Sequence, residues 1–138
     1  MKKLLLICAA TLFLTACADK QQYEQAVLEQ MRTERDLKDY KIEPEYMTEC
    51  VVDLSSKEMP GAFPLDPVRL TSYQNYAKML SMSSTPDNEK QQKIKELRSI
   101  FGSPKDLVAA HANYTESVMN CLASIIMESE DTEKAKDS

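Results

Sequence analysis

Polar and apolar positions divide the chain into one continuous apolar run and a series of stretches with helical periodicity. Residues 4–16 are apolar or small throughout; they follow Lys2-Lys3 and stop at Cys17, where the chain turns polar. Residues 20–40 carry only a narrow stripe, Tyr23, Val27 and Met31, which the charged run Arg32-Thr33-Glu34-Arg35-Asp36 interrupts. So thin a stripe predicts a largely solvated helix or a stalk. Glu43-Pro44 ends it, because a residue before proline resists helical geometry. A second helix is expected over residues 45–57, with Tyr46, Cys50, Val51 and Leu54 on one side.

Residues 58–67, EMPGAFPLDP, form the one clear loop. Its Asp66-Pro67 end is a helix start, an N-cap followed by proline at the first helical position. A third helix follows over 67–82 with Leu70, Tyr73, Ala77 and Leu80 inward. Thr85-Pro86 opens a fourth, with Ile94, Leu97 and Phe101 inward and Gly102 as its stop. Ser103-Pro104-Lys105-Asp106 caps a fifth. There Leu107, His111, Tyr114, Val118, Cys121 and Ile125 recur at spacings of three and four, the strongest amphipathic pattern in the chain, which predicts the central helix. From Glu128 no apolar residue larger than alanine occurs, so residues 129–138 are expected to be a disordered acidic tail. The fold expected is all-α, a small bundle of four to five helices with one disulfide. Residues 1–16 would be a leader, 17–43 a lipidated start with a stalk helix, and 44–128 the helical domain.

The leader has a specific form. Two lysines, an apolar run too short to span a bilayer and then small residues are the layout of a secretory signal peptide. Leu14-Thr15-Ala16-Cys17 resembles the lipobox of bacterial lipoproteins. The resemblance implies cleavage before Cys17 by signal peptidase II, a diacylglycerol on the Cys17 sulfur and an acyl group, such as palmitate, on the new amine. Several acyl chains exceed what stable anchoring needs. Ala18 stands where enterobacterial lipoproteins retained in the inner membrane carry aspartate, so the resemblance implies the outer membrane, periplasmic side.

That compartment bears on the cysteines. Of four, Cys8 leaves with the leader and Cys17 carries lipid, so Cys50 and Cys121 remain. In an oxidising space a pair of this kind is expected to be a disulfide, two buried thiols being the alternative. Removing Lys2 and Lys3 from the 17 basic residues leaves 15 against 22 acidic ones, a net charge of −7. This argues against nucleic acid as a partner and against broad adhesion to anionic headgroups. Two glycines, Gly61 and Gly102, are too few for a glycine-rich phosphate loop.

Candidate chemistry is sparse. His111, the only histidine, sits in the apolar stripe and is expected to be a core residue with one ring nitrogen bonded. Met79 and Met82 share a helical face that copper(I) could use, but with no histidine near in sequence they read as core filler, and no metal or cofactor is expected. Tyr73, Tyr76 and Tyr114 read as core and rim. In the loop, Met59, Phe63 and Leu65 alternate with prolines; they either plug one end of the bundle or form an exposed contact patch. No nucleophile, base and orienter can be assembled, so no enzymatic activity is expected. The function expected is that of a lipid-anchored interaction or accessory protein with an envelope protein partner. The alternative is a small apolar-ligand binder with a pocket among the helices at 45–57, 67–82 and 103–128.

Overall fold

The computed structural model describes residues 2–136, with side chains from 18 to 131. The described residues form six α-helices: α1 Lys2–Thr33, α2 Arg35–Asp39, α3 Pro44–Glu58, α4 Pro67–Leu80, α5 Asp87–Phe101 and α6 Pro104–Lys136. A 3₁₀ turn, Ser81–Ser84, extends α4, and no strand occurs among the described residues. The all-α bundle is thus as expected, with one additional short helix.

Proline and glycine punctuate the chain as their chemistry requires. Pro44 and Pro67 open α3 and α4 at positions whose N–H would be unused anyway. Asp66 caps α4 by accepting from Val68 N at 2.9 Å. Gly102, at φ 91°, ends α5 in a left-handed conformation that side chains resist. Ser103 Oγ accepts from Asp106 N at 3.1 Å and so caps α6.

The stalk expected before residue 44 is corrected. Tyr23, Val27 and Met31 are buried, and the broadest helix–helix contacts are α1 with α4 and then α1 with α3. A narrow stripe suffices because two helices pack against that one line from either side. The central helix is therefore α1, not α6. Helix α1 ends at Thr33, after which α2 turns back to bury Leu37, and Lys41 makes the following turn at φ 55°.

On α3 and α6 the expected stripes do pack inward, with Val51 and Cys121 fully buried, but the inward face also takes in residues beside them. On α3 the buried residues are Met47, Thr48, Val51, Val52 and Ser55, while Tyr46 is exposed. On α6 they are Ala110, Ser117 and Cys121, small residues that let α3 approach closely. This places His111 in solvent, a correction to the core position expected from its stripe. The C-terminal segment is also corrected. Helix α6 runs on to Lys136 rather than fraying at 129, since glutamate, lysine and alanine are good helix formers.

Cys50 and Cys121 form a disulfide, with Cα atoms 5.9 Å apart, that ties α3 to α6. Tyr23 is the hub of the core. Its ring stacks on Tyr73 at 5.9 Å and meets Tyr76 edge-on at 5.7 Å, and its hydroxyl reaches Ser55 Oγ at 2.8 Å.

Candidate functional site

The loop between α3 and α4 divides its apolar residues between the interior and the surface. Met59 is 3% exposed and belongs to the core, so it is no contact residue. Phe63 and Leu65 stand out at 57% and 50%, joined by Val68 of α4 at 54%. Their exposure is not slackness, because the backbone beneath them is fastened. The Arg69 guanidinium donates to Pro60 O at 3.0 Å, to Gly61 O at 2.7 Å and to Ser56 O. Asp66 accepts from Ala62 N at 2.8 Å as well as from Val68 N. These two N–H groups hold the Asp66 carboxyl below its ordinary range. Gly61 makes the fastening possible: at φ 110° it lies so close to Arg69 that a Cβ would fall 2.6 Å from the arginine Cβ and backbone nitrogen. The result is a rigid platform that presents Phe63, Leu65 and Val68 to solvent.

A second feature lies between α4 and α6, which make no broad contact with each other. An open groove of about 1000 Å³ separates them. Tyr76, Ile100 and Phe101 form its apolar floor, and Ala109, Ala112 and Asn113 line the α6 side. The small side chains of α6 set its width. Asn113 Nδ2 donates to Ser55 O at 3.0 Å and to Tyr76 Oη at 2.9 Å, so its amide is part of the wall. Burial pushes the Tyr76 phenol above its ordinary value, which keeps it neutral. Glu58, Asp106 and Glu116 outnumber Lys57 at this groove and make its lining acidic.

On the other side of α6, a groove of about 420 Å³ is lined by His111 together with Met79 and Met82. The fold thus brings the histidine to the two thioethers, which sequence spacing did not suggest. They lie at different depths, with Met79 buried, Met82 half-buried and His111 exposed. Among the described residues no three His, Cys, Asp or Glu side chains converge on a point that could hold a metal ion. The expected lipid site, Cys17, lies outside the described side chains. Among the described residues no helix is long and apolar enough to cross a membrane. No family model matches the chain, and no curated protein or solved structure is significantly similar to it.

Sequence reasoning found Phe63 and Leu65 but missed Val68, Arg69 and the groove. Val68 left a signal, an apolar residue in the first turn of a helix and off its inward stripe. Arg69 left none, since an arginine reaching back to carbonyls of its own loop has no characteristic spacing.

Proposed function

We propose that the protein is a non-catalytic lipoprotein, anchored through acylated Cys17 at the periplasmic face of the outer membrane, that holds a partner protein of the envelope. The anchor rests on the lipobox sequence. The partner rests on one observation, the open groove between α4 and α6. An apolar floor flanked by alanines suits a helical or extended segment laid along it. The carboxylates of Glu58, Asp106 and Glu116 favour a segment flanked by basic residues.

A photo-crosslinking residue in place of Ala112 tests this reading in intact cells. One discrete protein adduct is expected, and Glu116→Lys should diminish it. Adducts that are absent, or unaffected by the charge reversal, would overturn it. Cys17→Ala should leave an uncut precursor that takes up no labelled palmitate; a mutant that still labels and fractionates with the outer membrane overturns the anchor.

The same groove supports a second reading, a site for a small apolar ligand, because its volume reaches the range of ligand pockets, about 300–1,000 Å³. Its openness weighs against this, since ligand sites bury most of what they hold. Saturable uptake of a fatty acid that Ala112→Trp blocks would favour the ligand over the polypeptide.

A further inference from the structure

We propose that Phe63, Leu65 and Val68 form a second membrane contact, pressed into the headgroup region of the bilayer that holds the chain through Cys17. The proposal rests on the anchor reading above and on the relative placement of α1 and α4.

These two helices run parallel. Asp19 Oδ1 accepts from Gln74 Nε2 at 2.8 Å, Tyr23 stacks on Tyr73, and Gln30 Nε2 donates to Leu80 O at 3.4 Å and Ser83 Oγ at 2.7 Å. The start of α4 and the loop before it therefore lie at the same end of the bundle as Cys17. Lys20 and Pro64 indeed line one groove. Along α1, Cys17 precedes Asp19 by two residues, about 3 Å of helical rise. Along α4, Val68 precedes Gln74 by six residues, about 9 Å. The platform thus reaches further toward the anchored end than the anchored residue itself. A bilayer tethered at Cys17 therefore meets the exposed apolar side chains of Phe63, Leu65 and Val68.

The chemistry fits lipid better than another occupant. Phe63 and Leu65 stand on a fastened loop and line neither the groove that Lys20 and Pro64 share nor the one between α4 and α6, whereas Val68 also lines the latter. Arg69 beneath it is engaged by three carbonyls and is held back from headgroup phosphates. The contact is therefore apolar. It orients the domain by adding a second point to the flexible lipid tether, with the Val68 end of the groove between α4 and α6 toward the bilayer.

The test uses the processed, lipidated protein in phosphatidylethanolamine–phosphatidylglycerol vesicles. Cysteine is placed singly by Phe63→Cys, Leu65→Cys or, as an exposed apolar reference on α6, Met119→Cys, and each is spin-labelled. Cys17 is blocked by lipid, and Cys50 and Cys121 by their bridge. Labels at 63 and 65 should show an oxygen-to-nickel collision ratio severalfold above that at 119, unchanged by high salt. Protein that fails to float with the vesicles overturns the anchor and this contact with it. Protein that floats while labels at 63 and 65 are as open to nickel as that at 119 overturns the contact alone and gives the patch to a protein partner.

Discussion

Tyr23 on α1 donates its hydroxyl hydrogen to Ser55 Oγ on α3, across 2.8 Å and out of reach of solvent. The direction follows from Ser55 itself, whose single hydrogen goes to Val51 O at 2.7 Å. Deleting either partner therefore has unequal consequences. Tyr23→Phe removes the donor and leaves Ser55 bonded to its own helix, a loss of about 1 kcal/mol. Ser55→Ala strands a buried phenol and should cost more, about 1–3 kcal/mol. Urea unfolding of both variants checks the order as well as the sizes.

The disulfide supplies a larger share. Its partners are 71 residues apart, and closing such a loop restricts the unfolded chain by about 4 kcal/mol on a chain-entropy estimate. Paired Cys50→Ala and Cys121→Ala substitutions should lower the unfolding free energy by up to that amount. In the native protein a thiol-blocking reagent, applied under denaturing conditions without reductant, should modify neither cysteine.

Stability should fall at high pH. Burial lifts the Tyr114 phenol to about 12 and the Tyr23 phenol further, from an ordinary value of 10.0. The unfolded chain can ionise these groups near pH 10 while the fold holds them neutral, so ionisation favours unfolding. Their contribution is complete below pH 10 and is lost as pH rises through the folded values. Asp66 acts with the opposite sign. Its folded value is depressed by the Ala62 and Val68 N–H groups, so its contribution is present above the ordinary 3.8 and lost as pH falls through the folded value. Thermal melts at alkaline and acid pH, with the phenolate absorbance followed at the alkaline end, check both limbs.

Gly61→Ala should cost more than about 1 kcal/mol, since the new methyl would meet Arg69 and the backbone conformation there disfavours a side chain. The loop should loosen before the bundle does. Faster hydrogen exchange at the Ala62 amide, which is bonded to Asp66, is the expected signature.

Much of this architecture can be read from the chain, and the rest is hidden for physical reasons. Helix ends at Pro44, Pro67, Gly102 and Pro104 are set by backbone chemistry, which acts locally. The Cys50–Cys121 bridge follows from the number of cysteines and the expected compartment. What escapes is whatever depends on a neighbour. Tyr23, Val27 and Met31 make a stripe too narrow to signal a core helix until two partners converge on it. Ala110 and Ser117 are buried on α6 beside the apolar stripe, yet small side chains at a close contact carry no hydrophobic signal. Periodicity alone places His111 on the inward face, where the structure leaves it exposed. In the loop, alternating prolines marked Phe63 and Leu65 as notable, but their elevation above the surface depends on Arg69 and three backbone carbonyls.

Because the bridge joins residues 50 and 121, the chain between them is a closed ring, and α1 lies outside it. A pull between the two ends of the protein would pass from Cys50 straight to Cys121. The 71-residue arc that holds α4 and α5 would carry no tension, withholding about 240 Å of contour length from extension. The load would fall first on α1, the most extensively packed helix but one held only by side-chain contacts. Force applied at the N-terminal end of α1 would draw it out of the bundle and expose Tyr23, while the covalent ring stayed linked behind it.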